Sequence, residues 1–172
     1  MYTVGMDDTN WLSESQLQTW TNFLAASQLI EERVDSQLRS DFNFTHSEFE
    51  ILVRLAQAKD NTIRMGELAR LTIINKSALT YKVNNLSKKG FIIKSQCKVD
   101  ARGLEVTLTD KGKLFLADIS PSHVETVRKI LIEHLSDAEL VALNDISKKL
   151  LTQFSTTPPC QYATKEISYD GN

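Results

Sequence analysis

Along residues 11–38 the apolar positions Leu17, Trp20, Phe23, Leu24, Ile30, Val34 and Leu38 recur mostly at three- and four-residue steps. That spacing predicts one long amphipathic helix. Asp41-Phe42-Asn43 interrupts it, and Thr45-His46-Ser47-Glu48 then has the form of a capping box, with Thr45 accepting from an orphan amide and Glu48 reaching back. A second helix follows, with Phe49, Leu52, Val53, Leu55 and Ala56 on its inner side. Lys59-Asp60-Asn61 reads as a turn and Thr62-Ile63-Arg64 as a short strand.

Met65 to Leu71 reads as a two-turn helix with Leu68, Ala69 and Leu71 inward. The β-branched run Thr72-Ile73-Ile74 suits a connector better than a helix interior. Asn75 is a good N-cap for a further helix that runs to Lys89 and stops at Gly90. Leu79, Val83 and Leu86 form its buried stripe, while Lys76, Ser77, Thr80, Tyr81, Asn84 and Lys88 mark the opposite face. Two short helices, the second polar and basic outside, make a helix-turn-helix. After Gly90 the period changes. Residues 91–97 are rich in β-formers, residues 104–108 alternate apolar and polar, and the charged turn Lys98-Val99-Asp100-Ala101-Arg102-Gly103 lies between them. The expected fold is therefore mainly α with a small β-hairpin wing. Thr109-Asp110 restarts a helix over about residues 109–135, kinked at Pro121. Ser136-Asp137-Ala138-Glu139 is a second capping box, opening a last helix to residue 154 with Leu140, Leu143, Ile146, Leu150 and Phe154 in one stripe.

Charge changes this picture more than composition does. The whole chain carries −2, yet residues 64–113 hold eleven basic and four acidic side chains, a balance of +7 between flanks of −6 and −3. Charge alone fits a polyanion-binding module and a solvated lysine-rich face equally well. Placed on a winged helix-turn-helix, it favours the former. With 172 residues, 41% hydrophobic and 24% charged, the chain suits one ordinary globular domain, and no apolar run approaches a membrane span. The N-terminal residues lack a basic start and apolar run, and two widely separated cysteines, Cys97 and Cys160, suit a reduced, cytoplasmic setting. His46, His123 and His134 lack metal-ligand spacing, and no nucleophile elbow, phosphate loop or dinucleotide fingerprint occurs. These absences argue against an enzyme and against a cofactor.

Five segments in register carry a resemblance: Gly66-Glu67-Leu68-Ala69; Ser77-Ala78-Leu79-Thr80; Leu86-Ser87-Lys88-Lys89-Gly90-Phe91-Ile92; Asp100-Ala101-Arg102-Gly103; and Leu108-Thr109-Asp110-Lys111-Gly112. Together they resemble the MarR family of bacterial winged-helix transcription regulators. The resemblance spans about residues 10–154 as a single domain and leaves 155–172 as a tail that reads as disordered. It implies a homodimer, with a dimerisation layer of helices at about 11–38 and 110–154 and a DNA-binding lobe at about 45–110.

It also implies roles for particular residues. Ser77, Thr80 and Tyr81, with Lys76 and Asn84 close by, are expected to read bases of double-stranded DNA. Lys82, Lys88, Lys98 and Arg64 are expected on phosphates, and Arg102 at the wing tip in a minor groove. Many relatives carry an acidic residue where this chain has Asn75, so support of Arg102 is expected to rest on Asn75 and Asp100. A small aromatic or phenolic effector would sit in a crevice lined by Trp11, Trp20, Phe23, His46 and Phe49; these side chains equally suit ordinary core. Arg54 is a candidate partner for a carboxylate ligand, and as a helix arginine it is expected on the surface. The expected function is a sequence-specific regulator, a repressor at a pseudo-palindromic operator. Competing readings are a winged-helix protein–protein adaptor, which leaves the +7 segment without a purpose, and a thiol-based redox sensor acting through Cys97 or Cys160.

Overall fold

The computed structural model describes residues 10–72, 74–96 and 103–154. The chain opens with α1 (Glu14–Phe42), entered through a capping box in which Ser13 accepts from the Gln16 amide and the Gln16 side chain accepts from the Ser13 amide. Asn43, in the left-handed region at φ 51°, ends it. Helix α2 (His46–Gln57) starts from the expected box: Glu48 accepts from the Thr45 amide at 3.0 Å, and the Thr45 hydroxyl caps the Glu48 amide. A 3-10 turn at Lys59–Asn61 leads to β1 (Thr62–Arg64), α3 (Met65–Leu71), α4 (Lys76–Lys88), β2 (Ile92–Gln96) and β3 (Leu104–Leu108). Helices α5 (Asp110–Ile130) and α6 (Asp137–Phe154) complete the described chain, with a second 3-10 turn at Ile132–His134 between them.

The sheet has three strands in the order β1-β3-β2, all antiparallel. The expected hairpin gains β1 as an edge: Ile63 opposes Val106, and Thr62 and Thr107 share a hydroxyl hydrogen bond of 2.9 Å. Helix α5 runs through Pro121 and leaves helical geometry at Leu131 (φ −134°, ψ −58°), short of the expected end near residue 135. Within α3 Leu68 is fully buried, and Ala69 and Leu71 are half-buried against the same core, on the inward side expected for them.

One core joins the C-terminal half of α1 (Val34, Leu38) to α2, α3, α4, the sheet and α5. Phe44, Phe91 and Phe115 form its aromatic centre, with ring centroids 4.4–6.1 Å apart. Thr72, fully buried, satisfies its hydroxyl by donating to the Leu68 carbonyl at 2.7 Å. Helix α5 is docked by Thr109, whose hydroxyl caps the Gly112 amide and donates to the Gly90 carbonyl at 2.8 Å. Gly112 is required there: a Cβ would overlap the Phe91 carbonyl oxygen and lie 2.7 Å from Leu108 Cδ1.

Outside this core the first and last described helices are largely uncovered at their outer ends. Every side chain of α1 from residue 14 to 29 is exposed. No described side chain of α6 is buried; Leu140 and Leu143 are half-covered, and Ile146 and Leu150 stand open. No helix among the described residues is long and apolar enough to cross a membrane.

Candidate nucleic-acid interface

Helix α4 is built to hold its polar face outward. Asn75 caps it, its Oδ1 accepting from the Ala78 amide at 2.8 Å and from the Ser77 hydroxyl at 2.7 Å. Leu79, Val83 and Leu86 anchor it, each at most 1% exposed. At its other end Gly90 adopts φ 77°, which reverses the chain into β2, and Lys111 Nζ donates to the Lys89 carbonyl at 2.7 Å. Lys76, Ser77, Thr80, Tyr81, Asn84 and Lys88 all emerge exposed, within an arc of about 140° at 100° per residue. Every one is a residue that the sequence places on this face.

Their hydrogen bonds set what each can offer. Thr80 donates its hydroxyl to the Lys76 carbonyl at 2.8 Å, and Ser77 donates to Asn75, so both oxygens face outward as acceptors. Tyr81 is 68% exposed, a phenol free to meet a base edge or a thymine methyl. Three of the expected DNA-facing side chains are already engaged. Lys82 is half-buried and reaches the Thr45 hydroxyl of the α2 cap at 3.4 Å. Arg64 pairs loosely with Glu105, its neighbour across the β1–β3 ladder, at 3.9 Å. Asn84 accepts from Lys94 of β2 at 2.7 Å. Lys94 belongs to the basic segment but carries no role in the sequence-based site; its signal is its position just past the Gly90 reversal, where β2 runs back beside α4. Lys98, Asp100 and Arg102 of the wing, and the thiols of Cys97 and Cys160, lie outside the described residues, as do Ile73 and residues 155–172.

The residues expected to line an effector crevice are divided. His46 and Phe49 meet at the junction of α1, α2 and α5, where both pack on His123: ring centroids are 5.7 Å apart for the histidine pair and 4.3 Å for Phe49–His123. His46 Nδ1 also pairs with Glu31 of α1 at 2.8 Å. Burial, aided by the His46 charge, pushes the His123 imidazole down to about 4. His123 is absent from the sequence-based crevice; its place in α5, two residues past Pro121, gives no sign of these distant neighbours. Trp11, Trp20 and Phe23 instead stand 74%, 52% and 48% exposed at the free N-terminal end, the two latter on α1, and none takes part in a ring contact among the described residues. A shallow concavity on the same helix is lined by Ser27, Gln28, Glu31, Glu32 and Asp35, none of them aromatic. Arg54 is buried rather than on the surface, paired with Glu50 at 3.2 Å one turn back; α2 is enclosed on more sides than its sequence pattern suggests.

Comparison with known proteins sets this arrangement in a family. The profile of the MarR family matches residues 44–104, which takes in α2 through the start of β3. Over 95 residues the chain is 30% identical to the HTH-type transcriptional repressor YetL of Bacillus subtilis, covering 55% of this chain and 56% of that relative. The chain thus spans little more than half the length of that protein. Among solved structures, Sco3205, a MarR family transcriptional regulator from Streptomyces coelicolor in complex with DNA, superimposes with a TM-score of 0.81 at 30% identity, covering 88% of this chain and 94% of that one. AbsC, a MarR family transcriptional regulator from the same organism, gives 0.80 at 27% identity, covering 85% and 98%. All of these relatives are regulators of transcription, not enzymes. With its helix-turn-helix and wing strands inside the family match and 94% of a 30%-identical member's structure covered, the chain belongs to the MarR family of transcriptional regulators.

Proposed function

We propose that the chain binds double-stranded DNA as a homodimer at a pseudo-palindromic operator and represses transcription by occupying it. The observation that carries this is the exposed arc of α4, where six polar or basic side chains, none of them buried, project from a helix fixed by three buried leucine and valine anchors. In this reading residues 10–154 form one unit, with α1, α5 and α6 as the dimerisation layer. The open apolar side chains of α1 and α6 support that division, since the other described residues leave them uncovered. Two recognition helices related by a two-fold axis would enter successive major grooves, with half-sites about 10 bp apart. Ser77, Thr80 and Tyr81 read bases with help from Lys76 and Asn84. Lys88 and Lys98 hold phosphates, joined by Arg64 and Lys82 once these let go of Glu105 and Thr45. Arg102 enters the minor groove from the wing, with Asp100 as its support, because Asn75 Oδ1 is committed to the helix cap. A planar aromatic effector wedged beside His46, Phe49 and His123 would prise α2 from α1 and α5 and lower DNA affinity; these three rings already close on one another there.

The test is the paired substitution Thr80→Ala with Tyr81→Ala, assayed on a selected operator and on scrambled duplex. Specific affinity is expected to fall by about 1–3 kcal/mol for each base-reading side chain removed, with non-specific affinity little changed. Equal weakening on both duplexes would reassign these residues to backbone positioning.

A further inference from the structure

Asn84 lies at the centre of the exposed arc of α4, one turn beyond Thr80 and one turn before Lys88. Its carboxamide has an oriented partner. Lys94 Nζ, on β2, donates to it at 2.7 Å. A lysine ammonium has three donors and no acceptor, so the atom facing Lys94 must be the carbonyl oxygen Oδ1. The amide nitrogen Nδ2, with its two N–H donors, is therefore the end left to meet a ligand.

That orientation has a consequence for base reading. Asparagine reads adenine by a pair of hydrogen bonds in which Oδ1 accepts from N6 and Nδ2 donates to N7. Here one lone pair of Oδ1 is taken by an ammonium, so adenine N6, a donor, would have to share that oxygen with a cation, which disfavours the pairing. An amide showing only donors, beside a lysine showing only donors, matches an edge made of acceptors, which in the major groove is guanine O6 and N7. We propose that Lys94 is a positioning residue that fixes the Asn84 amide donor-outward, so that the pair selects guanine over adenine at one position of each half-site. The strand that carries the wing thereby sets what the recognition helix reads. Helix and strand are held in this relation by the Gly90 reversal at φ 77° and by Ile92, buried with Leu86 and Val83 in the same core. The inference rests on the DNA-binding reading of α4 and adds a specificity to it.

The experiment is selection from a randomised duplex library by the full chain, followed by titration of the selected duplexes with guanine or adenine at the assigned position. Wild-type protein and Lys94→Arg, which keeps a donor-only side chain, are expected to prefer guanine there by roughly tenfold. Lys94→Met frees Oδ1, and its preference should shift toward adenine at that one position. Asn84→Ala should erase the discrimination and make Lys94→Met silent for base choice, a non-additivity that two independent side chains would not show. Both residues are exposed, so the variants fold; melting curves verify this. The inference is overturned if Lys94→Met selects the same sequence as wild type while binding every duplex more weakly, with a salt slope smaller by about one phosphate, the signature of a backbone-binding lysine. If wild-type protein enriches no sequence at all, the DNA-reading role of α4 fails, and this inference fails with it.

Discussion

The open stripe of α6 makes the dimer quantitatively testable. Ile146 leaves 54% of its surface to solvent in a single chain. Burying an isoleucine side chain fully is worth about 1.5–3 kcal/mol, so roughly 1 kcal/mol remains to be gained when a partner covers this one. A two-fold interface contains the residue twice, and Ile146→Ser should therefore cost about 2 kcal/mol per dimer, a roughly thirtyfold rise in dimer Kd. Leu150, on the same stripe but only 40% exposed, should cost less on the same change. Ile93 on β2 is the control: it is 59% exposed but lies on the sheet, outside the proposed layer, and Ile93→Ser should leave association unchanged. Sedimentation equilibrium reads the dimer Kd directly. If the wild-type dimer is too tight, the concentration dependence of the denaturation midpoint gives the same quantity. Equal Kd values for wild type and Ile146→Ser, or equal weakening at Ile146 and Ile93, would refute the assignment of α6 to the interface.

Gly112→Ala forces a methyl group against the Phe91 carbonyl and should lower stability by about 1–3 kcal/mol, seen as a depressed Tm; an unchanged Tm would mean that α5 can slide off the sheet at little cost. His123 is held near 4, below its ordinary 6.5, so between those pH values the unfolded chain takes up a proton that the folded chain resists. Stability should fall as the pH drops through that window, and His123→Phe should flatten the Tm–pH curve there; an unaltered curve would place the titration elsewhere. Lys88→Ala, exposed near the C-terminal end of α4, should weaken binding to all duplexes and reduce the salt slope by about one, whereas a change confined to one sequence would make it a base reader.

Local signals are the legible part of this chain. Thr45–Glu48, Asn75 and Gly90 each act through atoms within a few residues, and each cap forms where its residue type places it. The same holds for the apolar stripe of α4, since three buried positions fix which way the other face points. What the sequence hides depends on neighbours distant along the chain. Strand β1 is only three residues long and exists because Ile63 meets Val106, 43 positions away, in the sheet. Arg54 is buried by elements that its own helix pattern does not describe. The engagement of Asn84 by Lys94 needs the Gly90 reversal and the β2 path together. The aromatics of α1 show a limit of another kind: Trp20 and Phe23 have helical spacing suited to a core, but the described residues leave them half-exposed.

Sequence-selective DNA binding by the basic segment and the α4 arc is tested most directly by fluorescence anisotropy. The purified protein is titrated on the DNA upstream of its own gene and on scrambled duplex, across a salt series. Tight binding to the first over the second is expected, with log affinity falling linearly against log salt at a slope that counts several phosphates. An absence of binding to either duplex at low salt would contradict the DNA-binding role.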